Sequence, residues 1–297
     1  MSVYSQIASN KRRTWFIMFA FVVLITVLAY VFGQALGYGS SFVGLALVLS
    51  GLMSLGSYYF SDQAVLAISG AKRITENDDP ELFHVAENLS MAAGLPTPEI
   101  YMIPDASPNA FATGRDPKHA VLGITAGLRT KLDKAELEGV VAHELSHIEN
   151  YDTRLEAVVT VLVGIVVIMA DYFSRSLWWG GRNRDEREGN QGIFVVIGLV
   201  LALFSPLFAI LIQLAISRQR EFLADASGAY LTRYPEGLIR ALEKISADPR
   251  PAGFANNATA HLFIVNPFKG KEASVWFSGL FDTHPSIEER IKRLREM

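Results

Sequence analysis

Two long uncharged segments near the start of the chain dominate its pattern of apolar and polar positions. No charged residue occurs from Thr14 to Ser61, and a glycine-rich connection divides this run into segments at about 14–33 and 41–60. Each segment is long enough to cross ~30 Å of hydrocarbon as a helix, and a cleaved signal peptide would be shorter. Both outer flanks are basic and the connection is uncharged. The positive-inside rule therefore predicts a transmembrane hairpin at 14–61, with residues 1–13 as a cytoplasmic N-terminus.

A second apolar pair is predicted at 155–217, with helices at about 155–173 and 192–216. The later helix has no charge, and membrane helices tolerate the proline in its middle. The earlier one is weaker, because its apolar run lies between Glu156 and Asp171 and is shorter than an ordinary span. It fits a tilted, a shallow or a partly protein-covered helix. The connecting loop has tryptophans that suit an interface and arginines that oppose the positive-inside rule. We expect a spanning hairpin rather than one that only dips into the membrane.

Composition supports a membrane protein and excludes several kinds of chemistry. Of the 297 residues, 50% are hydrophobic, which is apolar for a chain of this length. The net charge of −3 gives no indication of a nucleic-acid partner. The absence of cysteine excludes disulfides, thiolate metal ligands and a cysteine nucleophile.

Two segments of ordinary globular composition, 62–154 and 218–297, flank the second apolar pair. Helical and alternating periodicities predict an α+β unit with a small sheet, interrupted in sequence by the second hairpin. Its predicted elements are a helix at 81–93, strands at 99–103 and 120–125, a helix begun by a capping box of Asp133 and Glu136, and helices at 218–230, 235–247 and 287–295.

The helix that begins at the capping box contains the sequence His143-Glu144-Leu145-Ser146-His147, an H-E-x-x-H motif. Residues four apart share a helix face, so His143 and His147 can present two imidazoles to one zinc ion. Glu144 cannot reach the same metal face. It is placed instead to act as general base for a water and then as proton donor to the leaving amine. The fold class predicted is therefore a mainly α membrane protein, with two transmembrane hairpins and a zincin-like α+β catalytic domain.

A catalytic zinc site needs a third protein ligand. The pattern with a histidine six residues after the motif fails, because Thr153 occupies that position. The best candidate is Glu221, on the helix that follows the second apolar pair. Asp225 lies one turn further on the same face and could accept the second ring N–H of a ligand histidine. The alternative is an exposed amphipathic helix whose acidic residues pair with neighbouring arginines.

Four segments, in this order, resemble the motif set of the HtpX-type membrane zinc metalloproteases, a family related to the CAAX prenyl-protein proteases. The segments are Asn109–Gly114, His143–His147, Glu221–Asp225, and Thr283-His284-Pro285 followed by Arg290. The resemblance covers nearly the whole chain. It implies one zinc ion per chain on His143, His147 and Glu221, with Glu144 catalytic. It also implies a site on the cytoplasmic face of a bacterial-type inner membrane, and misfolded or damaged membrane proteins as polypeptide substrates.

Three further residues are weaker candidates. An extended substrate commonly adds to a strand edge beside the metal in zinc proteases, and Asn109 could hold its backbone there; a simple turn asparagine is the alternative. His284 and Arg290 resemble a C-terminal pair near the family's active site and could stabilise an oxyanion. The alternative is a helix start at this point, with Arg290 on the surface.

Two other functions compete with a membrane-anchored zinc endopeptidase. An intramembrane protease would carry the motif inside an apolar span, whereas here charged residues surround it on both sides. A non-catalytic zinc-binding scaffold or regulator is the second rival, and the presence of Glu144 argues against it.

A cysteine-labelling experiment tests whether 155–217 spans the membrane, because the chain has no cysteine of its own. In inverted vesicles, a membrane-impermeant maleimide should leave Asn183→Cys unlabelled and should label Ser2→Cys at the N-terminus. Equal labelling of both positions would show that the second apolar pair does not span.

Overall fold

The computed structural model describes residues 3–35, 41–165, 218–253, 262–265 and 285–297. These residues are mostly helical and include a four-stranded sheet, as the predicted fold class requires. The predicted second hairpin lies outside the described residues from 166 to 217, so its span boundaries stay predictions.

The first two helices form an antiparallel pair. Helix α1 covers Val3–Ala35 and helix α2 covers Ser41–Ser69, so each extends beyond the predicted span. The Ser54 hydroxyl donates to the Met18 carbonyl at 3.4 Å. The Trp15 ring stacks on that of Tyr58, with centroids 5.7 Å apart. The contacts pair later residues of α1 with earlier residues of α2, as in the hairpin that the uncharged segments predict.

The outer surface of this pair is apolar and open. Among the described residues, one helical segment, Val43–Ser69, is long and apolar enough to cross a membrane, and only 17% of its most apolar window is buried. Monomeric soluble proteins rarely expose so large an apolar patch. The exposed side chains on α1 and α2 include Trp15, Phe16, Phe19, Val23, Val27, Tyr30, Leu45, Leu47, Val48, Leu49, Leu52, Leu55, Tyr59 and Phe60.

The sheet has the strand order β1-β2-β4-β3. Its strands are β1 at Lys72–Arg73, β2 at Glu99–Ile103, β3 at Ala110–Thr113 and β4 at Val121–Thr125. Strands β2 and β4 are parallel and the other pairs antiparallel, which leaves β3 at one edge. The predicted strands β2 and β4 are confirmed. Periodicity missed β1 and β3, because both are short and β3 is half alanine, a residue depleted in strands.

Seven α-helices follow the hairpin in the described part of the chain, and six of them belong to the predicted catalytic unit. They are α3 at Pro80–Ala93, α4 at Ala126–Lys131, α5 at Lys134–Glu149, α7 at Arg218–Thr232, α8 at Pro235–Ser246 and α9 at Ile287–Arg295. A further helix, α6, covers 152–165. The helices predicted from periodicity are confirmed to within two residues at each end. The short helix α4 was not predicted.

Helix α5 runs through the centre of this unit. Its residues Leu137, Val140 and Leu145 are at most 1% exposed, and the helix packs against α3, α7, α8 and β3. The predicted capping box is present, since Asp133 accepts from the Glu136 backbone N–H at 3.0 Å and Glu136 accepts from that of Asp133 at 2.9 Å. The N-terminus of α5 is therefore fixed before the H-E-x-x-H motif begins.

Helix α6 begins as a protein-covered helix. Its apolar residues Leu155, Val158 and Leu162 form a buried cluster with Ile17 and Phe21 of α1. Of the three structures that its short apolar run fits, the described part shows the partly covered one.

A glycine allows α5 and α8 to approach closely, and replacing it should destabilise the fold. A Cβ on Gly139 would lie 2.6 Å from the Leu238 backbone nitrogen. Overpacking of this kind typically costs about 1–3 kcal/mol, against a gain in helix propensity of ~1 kcal/mol. Gly139→Ala should therefore lower the unfolding temperature in detergent. The control is Gly51→Ala, because a Cβ on Gly51 meets nothing within 4 Å. Equal unfolding temperatures would contradict the close approach.

Candidate metal centre

Two helices from distant parts of the sequence bring three metal-ligand groups together. His143 and His147 lie on α5 and Glu221 on α7, with one ligand atom of each within 4.8 Å of the others. The Nε2 atoms of the two histidines are 3.2 Å apart. The Glu221 carboxylate lies 3.5 Å from Nε2 of His147 and 3.8 Å from Nε2 of His143. All three side chains are buried.

Helix α7 reaches this position because a glycine faces α5. Glu221, Asp225 and Gly228 recur at helical spacing, so they share one side of α7. A Cβ on Gly228 would lie 3.0 Å from the His143 backbone nitrogen, so only a glycine fits without displacement. Glu221 and Asp225 are 4% and 2% exposed, so the alternative of an exposed amphipathic helix is wrong.

Each histidine has an aspartate on its outer ring nitrogen. Nδ1 of His143 is 3.0 Å from Asp225, and Nδ1 of His147 is 3.0 Å from Asp152. Donation to these acceptors assigns a proton to each Nδ1 and leaves each Nε2 facing the centre. Asp225 was expected at such a position. Asp152 was not expected. The sequence did contain a signal for it, because His147 also needs an acceptor on its outer ring nitrogen and Asp152 follows it by five residues.

The arrangement favours a positive charge between the two Nε2 atoms. Burial lowers the pKa of His143, and Arg290 lowers it further. Burial alone would also lower the pKa of His147, but the hydrogen bond to Asp152 and the charge of Glu221 raise it to about 10. Two unprotonated nitrogens cannot face each other at this distance without a cation or a shared proton.

The donor set fits a zinc ion. Ligands about 2.0–2.1 Å from a tetrahedral zinc lie ~3.3 Å from each other, close to the 3.2 Å that separates the imidazole nitrogens. Two imidazoles and one carboxylate are a common set for catalytic zinc, and they leave one position open. Manganese and cobalt accept the same donors, so the donor set indicates a site for a divalent metal, of which zinc is one.

Glu144 lies on the wall of the same cavity without joining the ligand group. It is 3% exposed and accepts a hydrogen bond from the Ala112 backbone N–H of β3. Burial raises the pKa of Glu144 to about 7. The cavity, which Phe263 and Ile264 also line, has a volume of about 10 Å³. That is close to the smallest space that holds one water.

Arg290 is fully buried behind the ligands, so the alternative of a surface arginine is wrong. Its guanidinium donates to both carboxylate oxygens of Asp225, at 2.8 and 2.6 Å, and to the Ile264 carbonyl at 2.8 Å. Burial alone would raise the pKa of Asp225, but the charge and hydrogen bonds of Arg290 lower it. Arg290 therefore keeps the partner of His143 ionised. His284 lies outside the described residues.

A short piece of the chain itself lies along the edge of β3. The Ile264 backbone N–H donates to the Ala110 carbonyl at 3.2 Å, and the Asn109 side-chain amide donates to the Val265 carbonyl at 3.0 Å. The Phe263 ring meets that of Phe111 edge to face, with centroids 5.7 Å apart. Asn109 thus holds the backbone of residues 262–265, a segment of bends rather than a strand, beside β3.

An H-E-x-x-H helix, a carboxylate from a second helix that could join it on one metal ion, and a further glutamate on the wall of the cavity are typical of a metallopeptidase. The chain belongs to peptidase family M48, whose model matches residues 76–297. It is 47% identical over 294 residues to a protease HtpX homolog of Dictyoglomus thermophilum, covering 99% of this chain and 94% of that protein. It is 45% identical over 295 residues to one of Tropheryma whipplei, covering 99% and 98%.

These matches confirm the resemblance to HtpX-type proteases. A crystal structure of S. mikatae Ste24p is also similar, with a TM-score of 0.49 and 18% identity, over 98% of this chain and 66% of that one. A similarity of that degree carries no conclusion about the site.

Replacing Glu221 by glutamine should reduce the bound metal. The amide keeps the shape but loses the charge, and even the loss of a partner behind a ligand typically weakens metal binding about 10–100-fold. Metal analysis after dialysis against a weak chelator should give close to one zinc per wild-type chain and far less for Glu221→Gln. Glu236→Gln, an exposed glutamate on the adjacent helix, is the matched control. Unchanged zinc content would reject Glu221 as a ligand.

Proposed function

We propose that the protein is a membrane-anchored zinc endopeptidase that hydrolyses peptide bonds in misfolded or damaged membrane proteins. One zinc ion per chain is held by His143, His147 and Glu221, with Glu144 as general base. The observation that carries this proposal is the convergence of the three ligand groups on one buried cavity that Glu144 also lines. Membership in a metallopeptidase family supports the same chemistry.

The protein groups around the cavity suit peptide hydrolysis. Zinc, when bound, lowers the pKa of a water and polarises the scissile carbonyl. Glu144 takes a proton from the attacking water and passes it to the leaving nitrogen. Its pKa of about 7 suits both steps, because a group that accepts and then donates a proton works best near the ambient pH.

An extended substrate would bind along the edge of β3. The backbone groups of Ala110 and the Asn109 amide already hold residues 262–265 there, which supports the geometry. A substrate strand and residues 262–265 cannot occupy the same edge, so substrate binding requires this segment to leave it. The hydrogen bonds of Arg290 favour a role in orienting Asp225 over direct stabilisation of an oxyanion. Oxyanion stabilisation stays a proposal for His284.

Several features support a site at the cytoplasmic face of an inner membrane. The exposed apolar surfaces of α1 and α2 suit lipid, and α1 carries basic residues near its N-terminus. The ammonium group of Lys11 lies 4.1 Å from the ring of Tyr151, four residues beyond His147. The proposed metal centre is therefore close to the basic end of the hairpin, where the membrane would meet the cytoplasm.

The two rival functions fit these observations less well. An intramembrane protease would place the H-E-x-x-H helix among membrane spans, whereas α5 packs against β3, α3, α7 and α8. A non-catalytic metal-binding scaffold has no use for Glu144, a buried carboxylate beside the metal ligands that does not itself bind the metal.

Replacing Glu144 by glutamine should separate metal binding from catalysis. General acid–base catalysis typically contributes about 10²–10⁴-fold, so Glu144→Gln should lower kcat by that factor and leave zinc content unchanged. The measurement is cleavage of an unfolded membrane protein in detergent. Glu138→Gln, on the same helix and paired with Lys134 at 3.9 Å, should cleave normally. Cleavage by Glu144→Gln at the wild-type rate would exclude it as the base.

A further inference from the structure

A buried contact joins the first helix of the hairpin to the group behind a metal ligand. The Asn10 side chain of α1 is 2% exposed. Its amide nitrogen donates to the Asp152 carboxylate at 2.7 Å and to the Asn150 carbonyl at 2.9 Å. The other oxygen of Asp152 is 3.0 Å from Nδ1 of His147. Two hydrogen bonds therefore connect α1 to one of the proposed zinc ligands.

The turn that Asn10 contacts determines where Asp152 lies. Helix α5 ends at Glu149, and Tyr151 has a φ of 58°, in the left-handed region that few residues other than glycine adopt. The Asn150 carbonyl belongs to the last turn of α5, where carbonyls lack partners inside the helix. A single amide group that binds this carbonyl and the Asp152 carboxylate holds the turn between α5 and α6 in one conformation.

The chemistry of the contact requires an amide. The Asn10 nitrogen has two protons, and each goes to one of the two acceptors. The Asp152 oxygen that faces Asn10 also accepts from Arg220 at 3.0 Å, and Arg220 immediately precedes the proposed ligand Glu221. Both oxygens of Asp152 are thus engaged, one with His147 and one with donors from α1 and α7.

Packing on either side holds Asn10 at this position. Lys11 covers the ring of Tyr151 at 4.1 Å, and Ile17 and Phe21 pack against Leu155 and neighbouring residues of α6. Helix α1 therefore packs against the turn that precedes Asp152 as well as against α2.

We propose that Asn10 is a positioning residue of the metal centre, which orients His147 through Asp152 and makes the centre depend on the docking of α1. This inference rests on the proposed zinc site. It adds that a residue of the apolar hairpin, far from the H-E-x-x-H motif in sequence, sets the geometry and affinity of that site.

The test compares two substitutions of Asn10 in the purified full chain in detergent. Asn10→Leu keeps the size of the side chain and removes the donor. Asn10→Asp places a carboxylate, which only accepts hydrogen bonds, opposite the Asp152 carboxylate and the Asn150 carbonyl. Zinc affinity, measured by chelator competition, should fall in Asn10→Leu by less than the ~10–100-fold typical of a group bonded directly to a ligand, and it should fall further in Asn10→Asp. The visible spectrum of the cobalt-substituted protein should change as well, because the orientation of one imidazole changes.

The control is Ser54→Ala, a buried polar residue that joins α2 to α1 through the Met18 carbonyl, away from the α5–α6 turn. It tests loss of a buried hydrogen bond of α1 by itself, and it should leave zinc affinity and the cobalt spectrum unchanged. Asn10→Leu should also have no additional effect on zinc affinity in an Asp152→Asn background, because Asn10 acts through Asp152.

Wild-type zinc affinity and an unchanged cobalt spectrum in Asn10→Leu would overturn the positioning role. An equal loss of affinity in the Asp152→Asn background would overturn it too, since Asn10 would then act by another route. In either case a wild-type chain that binds one zinc leaves the proposed function intact. A wild-type chain without zinc binding would overturn both proposals.

Discussion

The structure depends on holding two imidazole nitrogens face to face in a buried centre, where they need a positive charge between them. Asp225 and Asp152 fix the outer nitrogens of His143 and His147, but a buried carboxylate is costly unless it is paired. Arg290 of α9 pairs with the first and Arg220 of α7 with the second. The charges alternate in sign outward from the centre, and the residues that carry them come from four helices, α5, α6, α7 and α9.

This convergence joins parts of the chain that are far apart in sequence. The H-E-x-x-H helix precedes the apolar segment 155–217, and the glutamate ligand follows it. The close approach of α7 at Gly228 and of α8 at Gly139 sets the distances, since a side chain at either glycine would separate the helices. The N-terminal hairpin takes part through Asn10, and the metal centre is therefore not confined to the family-matched region that begins at residue 76.

Local sequence patterns predicted the helices and strands whose formation depends on local interactions. Helical periodicity and a capping box placed α3, α5, α7, α8 and α9, and the motif with an acidic residue on a later helix identified Glu221 and Asp225. What the patterns missed depends on contacts between distant residues. Strand β3 is short and alanine-rich, and it is a strand because it pairs with β4 along all four of its residues. Asp152 and Asn10 carry no recognisable motif, and only the packing of α1 on α6 brings them together.

Residues 262–265 at the edge of β3 bear on how a substrate would bind there. A segment of the same chain competes for such an edge at an effective concentration in the millimolar range, above that of most free polypeptides. A substrate that used the same edge would have to displace this segment, and the apparent affinity of every such substrate would be reduced by a common factor.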